Sequence, residues 1–249
     1  MNKNNQPGEP VKKPPPFPDR FVIAIDGPAG SGKSTMARLL AQRLGFMNID
    51  TGAMYRAVTA LLLDASLDPA DEKAAERAAS GMNLHFEQAF DGQKAIVNGA
   101  DFTARIRRPD VDAAVSVVAA HPGVRRRLVE AQRQMGGAGR VVMEGRDIGS
   151  HVFPDADVKF YLAAHDQTRA ERRGKDLTAQ GSSMPQEHTL AGIRDRDRLD
   201  SQRATSPLVK PEGAIELDTS DLTIDEALVK MLETIFCEIN RRSGGPVKS

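Results

Sequence analysis

The sequence is poor in several residue types, and each shortage excludes something. A single cysteine, Cys237, leaves no partner for an internal disulfide and no Cys cluster for structural zinc, which suits a reducing compartment. Tryptophan is absent and tyrosine occurs twice, so there is no aromatic platform on which single-stranded bases could stack. Charge of one sign is not in excess: 34 Lys and Arg face 34 Asp and Glu, unlike a protein that coats nucleic acid. No apolar run approaches the ~18 residues of a membrane span, so neither nucleic acid nor membrane is an expected partner. His85, His121, His151, His165 and His188 show no metal-ligand spacing.

What is present is a chain of 249 residues, long enough for one large domain with a small insertion. Arginine outnumbers lysine by 23 to 11. The planar guanidinium grips phosphate bidentately, so this bias favours a phosphate-handling protein. Residues 1–20 hold six prolines and little apolar mass, the composition of a disordered tail. They carry neither the apolar core of a secretory signal nor the Arg/Ser pattern of a transit peptide, which predicts a cytoplasmic protein. Residues 243–249 are expected to fray.

Phe21–Ile25 is a short continuous apolar run, as in a strand buried on both faces. Met36, Leu39, Leu40 and Leu44 then recur at helical spacing until Gly45. A second strand is predicted over Phe46–Ile49 and a helix over 53–63. Val141–Met143, Val158–Leu162 and Ile215–Leu217 read as further strands. The alternation predicts an α/β fold, a parallel sheet flanked by helices. Between Leu84 and Phe102 the period changes, and Asp91-Gly92 between two short apolar runs signals a hairpin. Residues 166–202 are charged and helical. The last helix opens with the capping box Thr223-Ile224-Asp225-Glu226 and carries Leu228, Met231, Leu232, Ile235 and Ile239 on one face, and Cys237 among these apolar residues is expected to be buried.

Gly27-Pro28-Ala29-Gly30-Ser31-Gly32-Lys33-Ser34 fits G-x-x-x-x-G-K-[ST], after a predicted strand and before a predicted helix. Glycines let successive N–H groups converge on a phosphate, and the helix start adds positive potential. Lys33 reaches the β- and γ-phosphates, and the Ser34 hydroxyl is placed to ligate Mg²⁺. The expected ligand is a nucleoside triphosphate. No Asn-Lys-x-Asp guanine motif is present, and no apolar strand ends in Asp-Glu, which weakens the GTPase and hydrolytic ATPase readings.

Three Arg/Asp groups remain. Asp50-Thr51-Gly52-Ala53-Met54-Tyr55-Arg56 and Glu144-Gly145-Arg146-Asp147-Ile148-Gly149 each follow a predicted strand, where open parallel sheets bind ligands. Arg194–Arg203 places Arg196, Asp200 and Arg203 at i, i+4 and i+7, on one helix face. A phosphate acceptor is anionic at neutral pH and needs no general base, whereas bringing two polyanions together needs positive charge between them. Several arginines therefore favour a phosphate acceptor over an alcohol.

These motifs, with Gly27–Thr35, Ser116–Arg125 and Val152–Ala156, resemble the bacterial cytidylate kinase family, in order, over about residues 20–238. The resemblance implies a P-loop nucleoside monophosphate kinase that uses ATP and Mg²⁺ to convert CMP and dCMP into CDP and dCDP. It implies a P-loop core over 21–242, a monophosphate-binding insertion at about 64–120 and a lid at about 169–183. Carried over, Gly27 to Thr35 cradle ATP, and Thr51, Arg56, Arg146 and Arg196 hold the CMP phosphate. Ser116, Arg125 and Asp147 read the cytosine edge, and Asp200 with Arg203 contacts the ribose or orients its neighbours. Lys33, Arg146, Asp147 and Arg196 are then the catalytic set. Thr51 stands where many relatives have Ser, and Glu144 where Asp is common. A monomer is expected. Alternatives left open are a kinase for UMP, AMP or a hydroxyl compound, and a non-enzymatic ATP-dependent switch or RNA-binding module.

Overall fold

In the computed structural model, the described residues are 17–89, 92–137, 139–179, 186–203 and 205–242. The first strand, β1 (Phe21–Asp26), is buried along its whole length because it is central: β6 (Arg140–Glu144) pairs on one side and β7 (Val158–Ala163) on the other. Adding β2 (Met47–Asp50) and β8 (Ile215–Asp218) gives a five-stranded parallel sheet in the order β2-β6-β1-β7-β8. The α/β expectation holds.

On one face, α1 (Lys33–Leu44) and α8 (Ile224–Arg242) pack Met36, Leu40, Leu228, Met231 and Ile235 against Ile23, Ile25 and Phe160. The predicted capping box opens α8, with Thr223 N donating to Glu226 Oε2 at 2.8 Å and Glu226 N to Thr223 Oγ1 at 3.2 Å. The other face packs Val22, Ala24 and Met143 against Val129, Ile148 and Phe153.

A second core forms beyond the sheet. It joins α2 (Thr51–Asp64), α3 (Glu72–Gly81), the antiparallel β3 (Leu84–Ala89) and β4 (Gly92–Val97), α4 (Pro109–Ala120) and α5 (Pro122–Gly137) around Val58, Leu62, Ala75, Val97, Val115 and Leu128. The two-residue strand β5 (Ala100–Asp101) pairs with β4. The predicted hairpin is present, although Asp91 lies outside the described residues. The charged stretch forms two helices, α6 (Asp166–Ala179) and α7 (Gln186–Gln202), and residues 180–185 between them are outside the described set.

Two expectations need correction. Cys237 is exposed, not buried: it sits two positions from Ile235, about 200° around the helix from the apolar stripe. Packed structure is also found before Phe21. Phe17 packs edge-on against Phe21 and Phe46 at 5.3 and 4.7 Å, and Arg140 donates to the carbonyls of Phe17 and Pro18 at 2.7 and 2.8 Å. Residues 1–16 and 243–249 lie outside the described residues.

Candidate active site

Strands β2, β6 and β1 are neighbours and end side by side at Asp50, Glu144 and Asp26. Each end releases one predicted motif into the same place, the carboxyl edge of the sheet. The P-loop follows β1. Gly27 has φ +149°, and a Cβ there would stand 2.2 Å from the Leu162 carbonyl oxygen, so only glycine lets the chain turn beside β7. Gly30 has φ +75° and lies against the Arg169 backbone. Asp26, fully buried, accepts from the N–H groups of Ile148 and Gly149 at 2.7 Å each, tying the root of the loop to the turn that carries Arg146 and Asp147. Burial pushes Asp26 up to about 6 despite those bonds.

Lys33 opens α1 and folds back over the loop, donating to the Pro28 carbonyl at 2.6 Å and to Ser31 Oγ at 3.4 Å. Burial first, then Arg146 and Arg196, pushes its ammonium down to about 7, against the pull of Glu144 and Asp197. The same crowding acts on the arginines. Arg196 is lowered to about 9 by burial and by Arg146 and Arg56, and Arg56 to about 10 by burial, Arg107 and Arg146. Lys33 and Arg56, both buried, and the half-buried Arg146 and Arg196 thus gather in one place: cationic neighbours help lower Lys33, Arg56 and Arg196, while Asp200 and Glu144 hold Arg146 up, an arrangement of the kind found where anions bind.

Thr51 lies beside them. Its hydroxyl donates to the Glu144 carbonyl at 2.7 Å, and a Cβ on Gly145 would meet that oxygen. Asp50 caps α2 through Ala53 N at 2.9 Å and pairs with Arg107 at 2.9 Å. The carboxyl of Glu144 sits against the Ser34 hydroxyl, and burial, with Asp50 nearby, pushes it up to about 7.

The predicted base-reading residues form a second cluster. Arg125, buried on α5, pairs with Asp147, and its guanidinium stacks over the Tyr55 ring at 5.5 Å. Arg126 and Arg127, by contrast, are exposed. Arg203 lies 3.9 Å from Asp147 and 3.5 Å from Asp200, while Arg146 Nε donates to the other oxygen of Asp200 at 2.9 Å. Asp200 thereby joins Arg146 to the cluster around Arg125 and Asp147. Ser116 is half-buried on α4, one turn beyond Asp112, and no hydrogen bond ties it to Arg125 or Asp147. Tyr55 is buried, as core packing required, and also carries Arg125.

Arg107, Asp112 and Asp197 were not singled out in the sequence, and Arg169 only as the start of the expected lid. Arg107 guards Asp50. Arg169 and Asp197 grip one P-loop residue from both sides, Arg169 donating to the Ala29 carbonyl at 2.9 Å and Asp197 Oδ1 accepting from Ala29 N at 3.1 Å, while the two pair with each other. Asp112 receives Arg56 and Arg173. For Asp197 a signal existed, since it lies inside the Arg194–Arg203 run, one position off the stripe of Arg196 and Asp200.

A phosphate loop at the edge of a parallel sheet, faced by a separate arginine cluster, defines a P-loop kinase. The chain belongs to the cytidylate kinase family, whose model matches residues 23–236. A cytidylate kinase of Oceanobacillus iheyensis is 44% identical over 217 residues, covering 87% of this chain and 94% of that one. The Bacillus subtilis cytidylate kinase is 44% identical over 216 residues, with 87% and 96% covered. A bifunctional pantoate ligase/cytidylate kinase of Synechococcus elongatus is 51% identical over 83% of this chain, which spans 40% of that protein.

Proposed function

We propose that this chain transfers the γ-phosphoryl group of ATP to CMP and dCMP, giving ADP with CDP or dCDP. The observation that carries the reading is the convergence of buried Lys33 and Arg56 with half-buried Arg146 and Arg196, cations whose mutual repulsion an anion relieves. An anionic oxygen of the acceptor phosphate bonds to the γ-phosphorus as the bond to the β–γ bridging oxygen breaks, and that electron pair leaves with ADP. Such an acceptor needs no base. Catalysis is then alignment and charge neutralisation: Thr51, Arg56, Arg146 and Arg196 hold the acceptor phosphate, and Lys33 with Arg146 and Arg196 neutralises the charge on the group passing from ATP to it.

Magnesium fits the residues present. The Ser34 hydroxyl adjoins the Glu144 carboxyl, whose Oε1 is buried without a hydrogen-bond partner among the described residues. No group of three or more His, Cys, Asp or Glu able to hold a metal occurs among the described residues, as suits an ion held largely by nucleotide phosphates and water. The Ser34 hydroxyl, with the Glu144 carboxyl beside it, would hold such an ion, which would supply charge neutralisation for the phosphoryl group in transfer.

Base selection follows from Asp147, Arg125 and Ser116. Cytosine presents an amine donor beside ring acceptors, which matches a carboxylate beside a guanidinium. Uracil presents a carbonyl in place of the amine, and Asp147 repels it. Asp200 and Arg203 serve the ribose. The second core, with about residues 64–120, is the monophosphate-binding insertion, and the segment at about 169–183 is the lid, of which 180–183 lie outside the described residues. We read the protein as a cytoplasmic monomer without a nucleic-acid partner; no helix among the described residues is long and apolar enough to cross a membrane. An ADP-release assay across CMP, dCMP, UMP, AMP and shikimate tests the proposal. CMP and dCMP are expected to turn over fastest, and equal turnover of AMP or shikimate overturns it.

A further inference from the structure

We propose that Asp112 is an internal counter-anion that competes with the substrate phosphate for its arginines, and so sets the affinity for the monophosphate. The inference rests on the phosphotransfer reading above. Asp112 lies in the first turn of α4, outside the predicted motifs. Its two oxygens face guanidinium groups from three separate elements: Arg56 of α2, Arg173 of α6 and, at 3.7 Å, Arg196 of α7. Arg56 and Arg196 are the groups assigned to the acceptor phosphate.

An acid in a first helical turn is ordinary, because the helix dipole favours it, and Asp110 shares that turn. The dipole does not explain why arginines of α6 and α7 reach across to this one. A guanidinium fork binds a carboxylate and a phosphate with the same geometry, so Asp112 occupies, within the free protein, positions that a phosphate oxygen would take. One carboxylate does not saturate them. Arg196 Nε stays buried without a hydrogen-bond partner among the described residues, and burial with neighbouring cations lowers Arg56, Arg173 and Arg196 together. An arriving dianion therefore gains the arginines but meets Asp112 among them, and like charges a few ångströms apart oppose each other. The same carboxylate ties α4 to α6 and α7, so its displacement frees Arg173 as the monophosphate settles.

Calorimetric titration of the full chain tests this. Asp112→Asn and Asp112→Ser, both neutral, are expected to bind CMP about tenfold more tightly, a gain moderated because the carboxylate is partly solvated. Cytidine, lacking the phosphate, is expected to bind all three proteins alike, and Asp112→Glu, which keeps the charge, to match the parent for CMP. In turnover the neutral variants show a lower KM without a higher kcat. Equal or weaker CMP binding in both neutral variants overturns the proposal, as does a parallel gain for cytidine. A parent protein that binds no CMP overturns the kinase reading instead.

Discussion

Arg146 Nε donates to Asp200 Oδ2 at 2.9 Å across 54 positions of sequence, joining the turn after β6 to the end of α7. Burial alone raises a carboxyl, yet Arg146, Arg203 and Arg196 outweigh it and hold Asp200 below the usual carboxylate range. A depressed acid contributes stability that is present above its unfolded pKa and is lost as pH falls through the folded one. Asp200→Asn leaves Arg146 and Arg203 buried without their counter-charge, a loss of about 3 kcal/mol at neutral pH. Urea unfolding at neutral pH, then at steps below about pH 4, is expected to show the gap between variant and parent closing as the parent's carboxyl protonates. A gap constant with pH would mean that Asp200 matters by shape rather than charge.

Arg196 presents the sharper functional test. A solvated helix face contributes nothing to turnover, whereas a guanidinium neutralising a transferring phosphoryl group does. Arg196→Ala is expected to lower kcat by about a hundredfold or more. The fold should tolerate the change, since removing a crowded, half-buried cation relieves repulsion on Arg146 and Arg56. Normal turnover of CMP by the purified variant would show that this helix face has been misassigned.

The P-loop was legible because eight consecutive residues each have a local reason to be there, and a buried strand and an amphipathic helix flank them in the sequence itself. Arg196, Asp200 and Arg203 were legible as a stripe because helical periodicity is also local. Asp112 with Arg173, 61 positions apart, and Asp50 with Arg107, 57 apart, left no such trace. Their meeting depends on how the second core seats against the sheet, which no single segment encodes. Asp197 shows the limit from inside a motif: one step off the stripe, it faces Ala29 and Arg169 instead of Asp200. Cys237 failed for a related reason, since apolar neighbours in sequence are not neighbours around a helix.

An exposed thiol makes that correction measurable. Cys237 should react with a thiol reagent in the native protein, rapidly and to one equivalent. It lies near the end of α8 where Arg242 reaches Asp157, before β7 begins. That is the opposite edge of the sheet from Lys33, so labelling should leave turnover intact and ATP should not slow it. Slow labelling that accelerates only in denaturant would place the thiol back in the core.

Two glycines with positive φ separate backbone freedom from space. At Gly45, φ +69°, a Cβ meets nothing within 4 Å, so Gly45→Ala carries only the conformational cost of about 1 kcal/mol. At Gly27 the added methyl would stand 2.2 Å from the backbone oxygen of Leu162, which cannot swing aside without parting β1 from β7. Gly27→Ala is expected to cost about 3 kcal/mol or more and to reduce soluble yield. Thermal unfolding of both variants checks the order, and equal losses would place the strain in φ alone.

Lys33 separates chemistry from folding most directly. Its ammonium is buried, is pushed down to about 7 by burial and Arg146, and donates to the Pro28 carbonyl and Ser31 hydroxyl. An ammonium so disfavoured by burial and by Arg146 contributes little to the fold, and a triphosphate offers its charge a proper partner. Lys33→Met keeps the stem and removes the charge. It is expected to cut kcat by about a thousandfold, the scale of losing a fixed charge at the transferring group, while Tm holds or rises. ADP release and thermal scans on the same preparation check both halves. A variant that loses its fold along with its activity would make Lys33 a structural residue.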